Sequence, residues 1–196
     1  MVDRLIAGHA KFQAEVLGDH AELLAQLAQG QSPDTLFITC SDSRIDPSLI
    51  TQSKPGDLFV IRNAGNIAPA LDAGGTSNDG SAASIEFAVR ALGVKHIVVC
   101  GHASCGAMRA LANPEVLEEL PSVARWLEHS EQLRGAGTDD LDDLVERNVL
   151  LQLERLATYP SVRAAIDAGS LELHGWVFDI GSGKLRAHNG DTFVAL

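Results

Sequence analysis

Three short apolar runs, at residues 35–39, 58–61 and 96–99, constrain the fold of this chain more than any other feature. None of them alternates polar with apolar positions, and each is closed off by turn-forming residues. Runs of that kind suit strands buried on both faces, as in a parallel sheet covered by helices. Between the second and third runs, residues 78–92 carry Ile85, Phe87, Ala88 and Leu92 at spacings that predict a crossover helix. Further helices are predicted over 115–132, 141–158 and 160–168, with 134–140 as a polar connection. The chain closes with a strand over 171–180, a turn at Gly181-Ser182-Gly183 and a strand over 184–188, which reads as a hairpin. The fold class is therefore α/β, with a mainly parallel central sheet, flanking helices and a late antiparallel strand.

Ahead of the first strand, Leu5, Phe12, Val16, Leu23, Leu24 and Leu27 recur at helical spacings until Gly30 and Ser32-Pro33 end the pattern. Gly8 and Gly18 interrupt it, so one broken helix or two are predicted over 1–30. The pattern alone leaves open whether this helical arm packs on a partner subunit or on its own sheet. No internal repeat or linker divides the sequence, and residues 1–196 read as a single domain. With 45% hydrophobic residues, the chain is long enough to bury a core without disulfides or a structural metal. Fifteen basic against 26 acidic residues give a formal charge of −11, which argues against nucleic acid or an anionic membrane as partner and for a small-molecule substrate.

The chemistry resides in two segments. Cys40-Ser41-Asp42-Ser43-Arg44 follows the first strand, and Cys100-Gly101-His102-Ala103-Ser104-Cys105-Gly106 follows the third. Both fall at strand carboxyl ends, where open α/β sheets place their sites. Two thiolates and an imidazole, from Cys40, Cys105 and His102, form a three-ligand zinc site whose fourth tetrahedral position is left for water. Gly101 and Gly106 are expected to permit the tight backbone that aims His102 and Cys105 at one ion. Cys40, Asp42 and Arg44 are alternate residues, so an extended backbone would turn all three side chains to one side. Asp42 and Arg44 then pair through two parallel hydrogen bonds, which keeps the carboxylate ionised and able only to accept hydrogen bonds. Cys100, inside the apolar strand, reads as a core residue. Of three cysteines, two are needed as thiolates, which points to a reducing compartment and a cytoplasmic protein. The histidines at 9, 20, 96, 129, 174 and 188 read as surface or satisfied core residues.

The pair Cys-Ser-Asp-Ser-Arg and Cys-Gly-His-x-x-Cys-Gly, about sixty residues apart, resembles the β-class carbonic anhydrases. The likeness extends through residues 56–66 and 83–89, Tyr159-Pro160-Ser161-Val162 and His174-Gly175-Trp176-Val177-Phe178-Asp179. What the resemblance implies is reversible hydration of carbon dioxide to bicarbonate by zinc-bound hydroxide, with one Zn2+ per chain. Cys40, His102 and Cys105 match the family's ligands, and Asp42 with Arg44 match its catalytic pair. Asp42 joins the metal only in a closed form. Gln31 matches a glutamine that reaches substrate across a dimer interface, and Phe59, Ala64 and Phe87 match an apolar substrate wall. Gly74 matches a glycine-rich segment whose backbone nears the site. The family fold further implies a homo-oligomer with the dimer as minimum unit and the arm wrapped on its neighbour.

One departure is informative. A subgroup of the family binds bicarbonate in a second pocket through tryptophan, arginine and tyrosine; here the matching positions are Phe37, Arg62 and Phe178. Neither phenylalanine offers a polar hydrogen, and each missing donor costs a buried anion ~1–3 kcal/mol. The expectation is an open site without cooperative bicarbonate inhibition. Two other readings stay beside this one: hydrolysis of carbonyl sulfide or carbon disulfide on the same ligands, and a zinc-bearing binding module in which water never reacts.

Overall fold

The computed structural model describes residues 1–134 and 140–196, and it divides the chain into Met1–Ser32 and Pro33–Leu196. The amino-terminal unit is one helical run: α1 (Val2–Lys11), a π-helical turn (Phe12–Val16) and α2 (Leu17–Leu27). The interruption is that π turn, not Gly8, which lies inside α1. A π turn inserts one extra residue per turn and rotates the apolar stripe. Leu5 and Ile6 of α1 are exposed, and no residue of either helix is buried.

The second unit holds β1 (Thr35–Cys40), α3 (Pro47–Thr51), β2 (Leu58–Asn63), α4 (Gly80–Phe87) running into a π turn (Ala88–Leu92), β3 (His96–His102) and α5 (Gly106–Ala112). After these come α6 (Pro121–Leu127), α7 (Leu141–Leu156), α8 (Pro160–Asp167), β4 (Glu172–Phe178), β5 (Leu185–His188) and β6 (Phe193–Ala195). The strands form one sheet in the order β2-β1-β3-β4-β5-β6, with β1 to β4 parallel and β5 and β6 antiparallel. The α/β expectation holds, with two late antiparallel strands where one was predicted. Three residues are too few for β6 to display a period.

Strands β1 and β3 are buried on both faces, as their unalternating runs require. β2 is not: it lies at the sheet edge and leaves Val60 40% exposed. The helix predicted over 115–132 is split into a 3-10 turn (Pro114–Leu117), α6 and a second 3-10 stretch (Glu128–Leu133). Pro121 has no N–H to continue a preceding helix but suits a first turn, and Ser130 leaves helical geometry at φ −119°. The connection expected at 134–140 lies, for 135–139, outside the described residues.

The larger core packs helices against one sheet face around Leu36, Ile38, Ile97 and Val99. Helix α7 lies unusually close to it. A Cβ on Gly101 would stand 2.8 Å from Val149 Cγ2, and one on Gly175 would stand 2.9 Å from Leu153 Cδ1. These glycines therefore let α7 rest on the backbone of β3 and β4. The opposite face gathers Phe37, Val98 and Cys100 with Trp176, Phe178 and Leu185.

Candidate metal centre

The chain leaves β1 toward β2 on one side and later enters β3 on the other, so the carboxyl ends of β1 and β3 flank a topological switch point. Cys40 ends β1 and His102 ends β3, two strands paired in register at Thr39 and Cys100. The turn that returns the chain from His102 to Cys105 passes through Ser104 at φ +55°, a left-handed conformation. The expected role of the flanking glycines is corrected here: neither Gly101 nor Gly106 has positive φ, and Gly101 serves the approach of α7.

Cys40 Sγ, Cys105 Sγ and a ring nitrogen of His102 all lie within 4.8 Å of one another, and all three residues are buried. His102 Nδ1 is 2.9 Å from the Ala103 carbonyl and so carries the proton, while the buried Nε2 has no hydrogen-bond partner. An imidazole fixed in that tautomer presents its free lone pair to the two sulfurs. Cys105 is the N-cap of α5, where no side-chain hydrogen bond closes the cap, and the amides of Ala107 and Met108 favour its thiolate. The Cys40 thiol is held well below its ordinary value, chiefly by the hydrogen bond from the Cys105 thiol and further by the amides of Gly65 and Asp42, against the cost of burial. That shared proton pushes Cys105 up in turn. One anionic sulfur, a second that ionises when a cation replaces the proton, and an orphaned imidazole nitrogen fit a zinc-type ion bonded at ~2.0–2.3 Å.

Asp42 and Arg44 sit on a turn rather than on an extended strand, and the turn is what joins them. Asp42 Oδ1 accepts from the Arg44 amide at 3.0 Å and from Arg44 Nε at 2.9 Å, and Oδ2 accepts from an Arg44 terminal nitrogen at 2.7 Å. The same nitrogen donates to the Ser104 carbonyl at 3.3 Å, which ties the two ligand loops together. These hydrogen bonds hold the Asp42 carboxyl well below the usual carboxylate range. Its Oδ2 lies 3.8 Å from His102 Nε2, so an ionised carboxylate borders the ligand triangle while remaining bound to Arg44.

The other expected residues are distributed unevenly. Phe59 and Phe87 bring their rings to 6.1 Å, with Phe87 47% exposed. Ala64, whose carbonyl accepts from Trp126 Nε1 at 2.7 Å, lines an open cavity of about 660 Å³ with Arg62, Asn63, Asp79 and Ser81. Gly74 lies in a loop closed by Asp72, whose carboxylate accepts from the amides of Gly74 and Thr76. Gln31 belongs to the amino-terminal unit and is exposed. Phe37 is buried edge-on to Trp176. Arg62 is committed to backbone, donating to the carbonyls of Cys40 at 3.0 Å and Asp42 at 2.6 Å, and so clamps the loop that carries both.

Sequence reasoning missed the support beneath Cys40. The glycine amide that helps hold its thiol down is that of Gly65, at φ +85°, where a Cβ would stand 3.2 Å from Ala107 Cβ and Met108 Cε. The Gly65 carbonyl accepts from Asn148 Nδ2 at 2.9 Å, and the Ala68 amide donates to Gln152 Oε1 at 3.0 Å. Asn148 and Gln152 are buried amides four residues apart on the inner face of α7, a polar pair amid leucines and valines that was the available signal.

Known proteins resemble this chain in sequence and fold. The family model for carbonic anhydrase matches residues 35–185. A carbonic anhydrase of Pseudomonas aeruginosa is 47% identical over 202 residues, covering 98% of this chain and 90% of that one. The solved β-carbonic anhydrase CcaA superposes with a TM-score of 0.93 at 44% identity, over 100% of this chain and 92% of the other. One of the tetrameric β-carbonic anhydrases of Sordaria macrospora gives 0.67 at 33% identity, over 99% and 95%. Likeness of this degree along nearly the whole of each chain makes the protein a member of the β-carbonic anhydrase family and an enzyme of that kind.

Proposed function

We propose that the chain hydrates carbon dioxide reversibly to bicarbonate and a proton, using one Zn2+ held by Cys40, His102 and Cys105. The observation that carries this reading is the two-pronged Asp42–Arg44 pair, bordering the unpartnered His102 nitrogen without leaving its arginine. Zinc, when bound, supplies Lewis-acid activation of water near neutral pH. Asp42 Oδ2, still bound to Arg44, would accept a hydrogen bond from the one O–H of the nucleophile and so would turn a lone pair toward the substrate carbon. Arg44 keeps that carboxylate ionised and fixed, and Arg62 holds the loop beneath it. Phe59, Ala64 and Phe87 offer an apolar wall to a linear, uncharged substrate; Gln31, from a partner subunit, and the Gly74 segment complete the pocket.

The working state is open, with Asp42 on Arg44, and a closed form in which Asp42 joins the metal is disfavoured. Phe37 and Phe178 supply no donors for a second bicarbonate, and the Arg62 guanidinium already serves two carbonyls. The protein acts as one domain, 1–196, with 1–30 as an arm in a homo-oligomer whose minimum is a dimer. Support comes from the exposed Leu5 and Ile6 of α1 and from the tetrameric assembly of the Sordaria relatives. Three free, buried cysteines suit the cytoplasm, and no helix among the described residues is long and apolar enough to cross a membrane.

Stopped-flow carbon dioxide hydration tests the proposal. Asp42→Asn is expected to lose ~10²-fold or more in kcat, the scale of one lost preorganised hydrogen bond at a reacting centre, while retaining its zinc. Full activity in that variant, or in protein stripped of zinc, refutes the assignment. Faster turnover of carbonyl sulfide than of carbon dioxide would move the substrate instead.

A further inference from the structure

At the amino ends of β3 and β4, away from the catalytic switch point, His96, Glu172 and His174 project from one face of the sheet. His96 is paired in register with Glu172, and His174 stands two residues further along the same strand, so alternation places all three side chains together. The reading of these histidines as ordinary surface or core residues does not account for what they form. His96 Nδ1 and His174 Nε2 approach to 3.2 Å, and the same Glu172 oxygen, Oε2, lies 3.7 Å from each of them.

These three separations define a nearly equilateral triangle of two ring nitrogens and one carboxylate oxygen. Its edges resemble those of a tetrahedral face around a cation with bonds of ~2.0–2.2 Å, for which ligands stand about 3.4 Å apart. A point equidistant from all three atoms lies about 2.1 Å from each, the bond length of a zinc-type ion to nitrogen or carboxylate oxygen. A hydrogen bond between the two imidazoles alone would explain the 3.2 Å contact but would leave the carboxylate without a role. The nearest cationic side chain in sequence, Lys95, is engaged by Asp34 at 2.8 Å.

We propose that His96, Glu172 and His174 form a second divalent-cation site, distinct from the Cys40–His102–Cys105 centre. Six residues of extended strand separate His96 from His102, about 20 Å at 3.3 Å per residue. Two imidazoles and one carboxylate select a borderline transition cation such as Zn2+, Ni2+ or Cu2+ over the oxygen-seeking Ca2+ and Mg2+. The side chains remain partly exposed, at 42%, 71% and 36% for His96, Glu172 and His174, so the ion enters from solvent and keeps water on its remaining positions. Both strands are internal to the sheet, which holds the ligand positions fixed before any ion arrives.

Untagged protein, loaded with zinc and cleared of excess, is titrated with NiCl2 and separately with ZnCl2 in a calorimeter. One further equivalent per chain is expected, with CaCl2 giving no heat. His96→Gln and His174→Gln are each expected to weaken that binding at least tenfold, and Glu172→Gln several-fold, whereas His188→Gln leaves it unchanged. Absence of any additional equivalent in the unmodified enzyme overturns the proposal whatever the variants do, and so does undiminished binding in folded His96→Gln and His174→Gln protein.

Discussion

Replacing Asn148 by alanine probes how far the metal centre depends on a residue that touches neither metal nor substrate. Asn148 is 1% exposed; its Nδ2 donates to the Gly65 carbonyl at 2.9 Å, and its Oδ1 accepts from Ser130 Oγ at 3.1 Å and Gln152 Nε2 at 2.9 Å. Alanine strands the Gly65 carbonyl outright. Gln152 Nε2 retains Ser130 Oγ at 3.3 Å, so the Oδ1 loss removes about one further partner rather than two. Two unmet buried groups at ~1–3 kcal/mol each give a destabilisation of about 2–6 kcal/mol, a large share of the ~5–15 kcal/mol that holds an ordinary domain. Ser130→Ala is the control: Asn148 Oδ1 still receives Gln152, so its cost should be ~1 kcal/mol. Urea unfolding of zinc-loaded protein measures both. Because the Gly65 amide helps hold the Cys40 thiol down, N148A should also release zinc to a chelator faster than S130A at matched urea distance from the midpoint. A loss below 1 kcal/mol for N148A, or equal losses in the two variants, would refute the reasoning that this amide bears the Gly65 loop.

Metal removal should sort the thiols. In protein stripped of metal at pH 7, iodoacetamide is expected to modify Cys40 first, since the Cys105 thiol holds its thiol well below the ordinary value, and to spare Cys100, which burial pushes up to about 12. Zinc reloading should protect Cys40; mass spectrometry of peptides reads the order, and early labelling of Cys100 would contradict it. The Asp42–Arg44 pair also carries a pH signature. A carboxyl depressed in the folded state stabilises it fully above the unfolded value near 3.9 and loses that contribution as pH falls below it. The urea midpoint of the parent should therefore fall more steeply below about pH 4 than that of D42N, and parallel curves would dismiss the pair as a stabilising one.

The residue types needed for the chemistry were legible in the chain because they are local. Cys40 with Asp42 and Arg44, and His102 with Cys105, each lie within a few residues of one another, and buried parallel strands announce themselves as unalternating apolar runs. Edge position is not local, so β2 read as interior although it closes the sheet, and β6 was too short to read at all. Turn chemistry misled in one place: glycines beside His102 suggested the tight backbone, while Ser104 adopts the left-handed conformation and Gly101 yields room to α7. What tertiary structure alone decided are the contacts across many residues. Asn148 reaches Gly65 over 83 positions, Arg62 reaches Cys40 over 22, and His96 meets His174 over 78. A hydrogen bond or a ligand triangle depends on distances of a few tenths of an ångström, and strand register and helix packing set those distances.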